Sequence, residues 1–310
     1  MADARGAPFA PGSVSIRLYP HTDLGAGVML DELVVQATMA LDLGFDGVMV
    51  SEHHGGLAGY LPQPLQTAAL VLEHAPAGWV AAAPLLLPLR PTAVVAEEVA
   101  WLASRHHGRV GLGVAAGARD VDYGVAGIGA ADAVERFKAE LPRLVAMLGG
   151  EDLGALAGDP ALAACQQHPV PVLSAAMSVT AARRAARSGA GLLLDGMSAP
   201  GRISAVTAAY RAAGGTRPAV LVRRVWIGSL RRHLVEAQRA VYDDMAGARF
   251  GDDQTVAAAE PSEVVERLRA VQAEAGTDAL NLRVHLPGLT PQDVRGQLER
   301  LAASVVPALK

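Results

Sequence analysis

The chain is poor in aromatic residues, which make up 4% of its 310 positions, so its core must be built from alanine, valine and leucine. A single cysteine, Cys165, excludes an internal disulfide, and the Ala-rich stretch around it has no metal-ligand spacing. No metal site is expected. Nothing approaches the roughly 18 uninterrupted apolar residues of a membrane-crossing helix, so no membrane association is expected. Positions 1–12, mostly Ala, Gly and Pro with one acid and one base, lack the apolar core of a signal peptide. They are expected to form a flexible arm ahead of one domain over 13–310, in a cytoplasmic protein. A basic excess is also missing: the net charge is −4 and the arginines are scattered, which argues against a dedicated nucleic-acid binder. No Gly-rich dinucleotide turn follows an early strand.

What is present is a large apolar fraction, 51% against 19% charged, arranged as strand-like and helix-like runs that alternate from end to end. The strand-like runs are 14–18, 46–50, 79–87, 109–114, 172–176, 191–195, 220–227 and 279–285. Each precedes a helical pattern, at 30–43, 64–74, 91–105, 131–148, 178–187, 200–213, 229–246 and 291–306. Local signals agree: Asp31 and Glu32 lie in a first turn, Pro91 starts a helix, and Gly44 and Gly189 stop helices. Eight such pairs predict an α/β fold, a closed (β/α)8 TIM barrel with extended loops at its C-terminal face, rather than an open doubly wound sheet. Residues 149–168 are weakly patterned. Residues 247–260 exceed a usual connection and read as a solvated linker or a lid, with the linker favoured.

In such a barrel, side chains at the carboxyl ends of strands converge on one face. The second strand stops at Glu52-His53-His54-Gly55-Gly56, a carboxylate and two imidazoles followed by glycines. Imidazoles there can ligate metal, move protons or hydrogen-bond to a cofactor, or they can be solvated loop residues. Adjacent histidines on an extended segment point to opposite sides, which makes a shared metal the least favoured use. The third strand carries Ala83-Pro84 in its interior, and the fourth ends in Ala115-Ala116-Gly117. Met177-Ser178 opens a helix directly after the fifth, a place suited to a phosphate and equally to an ordinary N-cap. Asp195 follows the sixth, Trp226 lies in the seventh, and Arg283 and His285 share a face in the eighth. Asp122 reads as an exposed loop carboxylate, and His106-His107 as surface residues at the opposite end of the barrel.

Glu52-His53-His54, the downstream Leu87-Pro88 and Ala96-Glu97-Glu98, and the run from Gly108 to Val114 together resemble the luciferase-like, flavin-dependent monooxygenase family over 14–129. Further similar stretches are 171–189 and 298–309, with Val306-Pro307, so the likeness covers most of the chain. It is the order of the motifs that carries it. The resemblance implies reduced flavin mononucleotide (FMN) and O2 acting on a small organic substrate, a separate flavin reductase, and a homodimer formed through the second and third helices. It places His53 at the flavin's reactive edge, with Glu52 and His54 in support and Glu52 orienting the His53 ring. It puts the flavin ring on a cis peptide at Ala83-Pro84, and its phosphate on Met177 and Ser178 with contacts from Thr180 and Ala181. Ala115-Ala116 departs from a Cys-Arg pair whose arginine grips phosphate in bacterial luciferase; Arg119, Arg183 or Arg283 are the candidate replacements. Asp122, Trp226, Arg283 and His285 are candidates for substrate or loop contacts. Two alternatives stay open: a deazaflavin (coenzyme F-420) dependent hydride-transfer oxidoreductase, and a non-catalytic flavin-binding relative.

Overall fold

The computed structural model describes residues 6–57, 59–246 and 254–310. In chain order its elements are β1 (Val14–Arg17), α1 (Ala26–Asp42), β2 (Gly47–Val50), α2 (Pro64–His74), β3 (Trp79–Leu86), α3 (Thr92–Arg105) and β4 (Val110–Ala115). Then come α4 (Asp120–Val125), α5 (Ala130–Met147), α6 (Pro160–Ala164), β5 (Val172–Ala175), α7 (Val179–Arg187), β6 (Gly191–Leu194), α8 (Pro200–Ala212) and β7 (Ala219–Ile227). The chain finishes with α9 (Arg232–Ala246), β8 (Val256–Ala258), α10 (Pro261–Ala275), β9 (Ala279–Arg283), α11 (Pro291–Ser304) and α12 (Val306–Leu309). Eight strands close on themselves in the order β1 to β7, then β9 and back to β1, and every pairing is parallel. This is the (β/α)8 barrel that the alternating pattern predicts.

The differences are local. β8 is a three-residue strand that pairs only with the end of β7, Val225 to Ile227, so the 247–260 segment ends on the sheet rather than in solvent. Residues 247–253 of that segment lie outside the described residues. The helix α10 has no counterpart in the sequence reading, although Pro261 starts it and Gly276, with φ of 64°, stops it in the left-handed region. The weakly patterned stretch holds the short α6, capped by the Asp159 carboxylate on the amides of Ala161 and Leu162. Burial pushes the Cys165 thiol up, with the charge of Asp159 adding to it, which keeps the sulfur a poor nucleophile.

Two layers of apolar packing fix the barrel. The outer one joins strands to helices; the inner one includes Phe9, Met49, Trp79, Ala81, Leu173, Val220 and Val222. Phe9 meets Trp79 edge to face at 5.1 Å, inside the lower end of the barrel. Within the stretch expected as a flexible arm, Pro8 and Phe9 are buried against the barrel while Gly6, Ala7, Pro11 and Gly12 are exposed; residues 1–5 lie outside the described residues. With few aromatics, room for the large ones comes from glycine: a Cβ at Gly47 would lie 2.0 Å from the Trp79 ring. At the upper end a Cβ on Gly113 would lie 2.7 Å from the Cβ of Ala83. That glycine lets β3 shift register between Ala82 and Leu85, and the Ala83-Pro84 peptide there is cis, as expected.

Candidate active site

The carboxyl ends of β1, β2, β3, β5, β6, β7 and β9 surround a cavity of about 250 Å³. Arg17, Tyr19, His53, Tyr60, Pro84, Ala118, Ala175, Met177, Leu193, Asp195, Met197, Val222 and Arg283 are on its wall. A second cavity, about 260 Å³, lies at the opposite end beside His107, Cys165 and His168. Its wall includes the amino end of β4 at Val110 but no carboxyl strand end, so the upper cavity is the one the fold equips for chemistry.

The two histidines after β2 face apart, as an extended segment requires, and each has its own carboxylate. His53 Nδ1 is 2.7 Å from Asp122 Oδ2, its ring stands edge-on to Tyr60 at 4.5 Å, and it reaches the cavity. Its Nε2 makes no hydrogen bond among the described residues. His54 Nε2 is instead 2.7 Å from Glu52 Oε1 and sits under the surface. The expected pairing of Glu52 with His53 is therefore replaced by Asp122 with His53. Glu52 is fully buried: it takes a two-pronged pair from Arg90 at 2.8 and 2.9 Å and accepts the Leu86 amide at 2.7 Å. Its own amide donates to the Pro84 carbonyl at 3.0 Å. Glu52 thus ties the end of β2 to β3 at Pro84, within the register shift, and at Leu86, just beyond it, and neither Glu52 nor His54 lies on the cavity wall.

Asp122 is not the exposed carboxylate that its loop position suggests. The helix α4, unpredicted, folds over the end of β2 and leaves Asp122 with 0% exposure. Burial opposes its charge, but the hydrogen bonds from His53 and from the His54 amide, with the charges of His53 and Arg119, outweigh it and hold the carboxyl below the usual carboxylate range. Arg119 donates to the His54 carbonyl at 3.1 Å and stands 3.6 Å from Asp122. Its guanidinium is thus engaged beside the His53–Asp122 pair.

The other expected residues divide. Pro84, Met177 and Arg283 are on the cavity wall, with Asp195, which accepts the amides of Met197 and Ser198 and the Ser198 hydroxyl. Ser178 caps α7, accepting the Ala181 amide at 3.2 Å, and is exposed beside Met177. Thr180 and Arg183 are exposed on the same helix. Ala83 is buried behind Pro84, its carbonyl held by Arg17 at 2.6 Å, and Ala115 is half-buried off the wall. Trp226 is buried in the outer core and does not reach the cavity. His285 is buried behind Tyr19, in ring contact with it and with His21. Burial first, then the charges of His21, Arg283 and Arg224, hold its pKa well below the ordinary histidine value. His106 is buried beside Glu73 rather than on the surface, whereas His107 is exposed. Sequence reading missed Arg17, Tyr19 and Tyr60; the polar Arg17 and Tyr19 at the end of an apolar strand were the available signal.

Among the described residues no group of three His, Cys, Asp or Glu could hold a metal ion, and no helix is long and apolar enough to cross a membrane.

Comparison with known proteins gives a match to the luciferase-like monooxygenase family model over residues 13–306. No curated protein sequence matches significantly. Among solved structures, the monooxygenase RslO1 from Streptomyces bottropensis superposes with a TM-score of 0.75 at 19% identity, over 96% of this chain and 100% of that one. The oxygenating constituent of 3,6-diketocamphane monooxygenase from Pseudomonas putida, in complex with FMN, gives 0.72 at 18% identity over 96% and 98%. An F420-dependent secondary alcohol dehydrogenase, in complex with an F420-acetone adduct, gives 0.75 at 17% identity over 96% and 99%. At these identities the structures speak to the fold.

Proposed function

The chain belongs to the luciferase-like monooxygenase family, and from that premise we propose that it is a flavin-dependent monooxygenase that uses reduced FMN and O2 on a small organic substrate. The observation that carries this reading is the His53–Asp122 pair: a histidine on the cavity wall whose Nδ1 is engaged and whose Nε2 is left for a ligand.

The residues fit a flavin. Pro84 offers a flat apolar ledge between His53 and Met177 on the cavity wall, and Ala118 and Ala175 are small enough to leave space beside it. The exposed start of α7 offers first-turn amides and the Ser178 hydroxyl to a phosphate. Bound flavin supplies the redox chemistry with oxygen. The protein's part is position and proton control. Asp122 holds His53 in one orientation through Nδ1, so that Nε2 can give a proton to, or take one from, the reacting atom in front of it. Tyr60 and Tyr19 close the cavity beside His53 and limit water there. Reduced flavin is supplied by a separate reductase in this reading, and the working form is a homodimer. The exposed apolar residues Leu70 on α2 and Val94 and Trp101 on α3 support the latter.

The test is a titration of the purified protein with reduced FMN and, separately, with reduced deazaflavin under argon, followed by admission of oxygen. Binding of FMN and oxygen uptake that depends on it are expected. Binding of the deazaflavin alone, with no oxygen uptake, reassigns the chain to hydride transfer; binding of FMN with no change in its oxidation supports a non-catalytic flavin binder.

A further inference from the structure

The strands β1, β9 and β7 lie side by side, and their register sets Arg17 opposite Arg283 and Arg283 opposite Arg224. Parallel neighbours in register present side chains on the same face of the sheet. Arg17 and Arg283 are on the cavity wall, and both are buried. Arg17 has three partners, the Asn281 side-chain oxygen at 3.0 Å, the Ala83 carbonyl at 2.6 Å and the Met49 sulfur at 3.6 Å, and all three are neutral. Among the described residues no carboxylate pairs with it. A guanidinium cannot neutralise itself by losing its proton, and a buried charge without a counter-ion is unfavourable. Arg17 faces the cavity, where a bound anion would supply the missing charge.

Resting on the flavin reading above, we propose that the substrate carries a carboxylate-type anionic group, which Arg17 and Arg283 receive on the β1–β9 wall. Arg283 lies over the Tyr19 ring at 4.6 Å and adds a second positive charge to the wall beside Arg17. The positive field there is also felt by His285, whose pKa is lowered first by burial and then by His21, Arg283 and Arg224. The carboxylate on the cavity wall, Asp195, follows β6 on another side of the barrel and is engaged by two amides and a hydroxyl. The proposed phosphate place at Ser178 follows β5, four strands from β1, so the two anion positions are separate. Between them Leu193, Met197 and Val222 line an apolar wall, suited to the hydrocarbon body of the same substrate.

The test uses the protein without cofactor and compares binding of hexanoate with that of hexanamide by calorimetry, in the wild type and in Arg283→Met. The wild type should bind hexanoate at least about tenfold more tightly than the amide, as a charge-assisted pair requires, and Arg283→Met should remove the difference. Equal binding of the two probes by the wild type, or a difference that survives in Arg283→Met, overturns the proposal. So does a variant that keeps the discrimination and instead loses affinity for reduced FMN, because the arginines would then serve the flavin ring. FMN affinity is measured separately by fluorescence quenching: a wild type that prefers hexanoate but binds no FMN sinks the flavin reading and leaves the anion site standing.

Discussion

His53 and Asp122, 69 positions apart in the chain, meet at 2.7 Å through Nδ1 and Oδ2. Of the two neighbouring histidines only His53 is on the cavity wall, because His54 is held below the surface by Glu52; the proposed proton transfer therefore falls to His53. A general acid or base contributes typically about 100- to 10,000-fold. His53→Ala should therefore cut coupled substrate oxidation by about that factor while hydrogen peroxide release rises. Asp122→Asn should fall between this variant and the wild type, and His54→Ala should lower the melting temperature more than the coupling. Equal and small effects of all three on coupling would remove the dyad from the mechanism.

Glu52 is predicted to matter for stability rather than turnover. Removing one member of a buried ion pair costs about 3–5 kcal/mol, since the partner charge is left alone. For Glu52→Ala, which strands Arg90 and the Leu86 amide, a fall of roughly 10 °C in melting temperature is expected. An unchanged melting temperature would show that water replaces the carboxylate freely.

His285 gives the folded state a pH slope. Its folded pKa is well below 6.5, so as pH falls through that value the unfolded chain takes up a proton that the folded one refuses. This group's contribution therefore destabilises the fold progressively below the ordinary histidine pKa, until the lower folded value is reached. Melting temperatures measured from about pH 8 to about pH 5 should decline less steeply in His285→Gln than in the wild type. Parallel curves would mean that His285 charges without cost.

The phosphate place is tested by Ser178→Asp. A carboxylate there still caps α7 and repels a phosphate at the same amides. FMN affinity should drop with no loss of thermal stability, and riboflavin, which lacks the phosphate, should bind both proteins alike. Unchanged FMN affinity would move the phosphate elsewhere.

Val94 is the position at which the dimer is most directly probed. It lies on α3 with Trp101, seven residues on and therefore on the same side of the helix. Light scattering should give twice the chain mass of 31.9 kDa for the wild type and the chain mass for Val94→Glu. A wild type at the single-chain mass at micromolar concentration would rule the dimer out.

The barrel was legible because each strand is a short, continuous apolar run and each helix after it has its own start and stop. The missed helix α10 had the same signals, Pro261, Glu263 in its first turn and apolar Val264, Val265 and Leu268, but followed a segment without period. Asp122 was misread for a different reason. Nothing local separates a solvated carboxylate from a buried one; its burial depends on where α4 folds, and hence on contact with residues nearly seventy positions earlier. The same holds for Trp226 and His285, whose strand positions point to the upper barrel without saying which ring reaches the cavity and which packs behind another. Pairing Glu52 with the adjacent His53 followed sequence proximity, whereas its burial led it to Arg90 and His54.

Phe9 and Trp79 act as a stopper in the lower barrel, with Gly47 leaving room for the indole. Among the described residues the vessel is closed at its base, and the candidate site faces the rim. For the proposed reaction this makes traffic at the rim sequential: a slow-leaving product would hold back the next arrival. Met177, exposed at that rim, then stands where each arrival and departure passes.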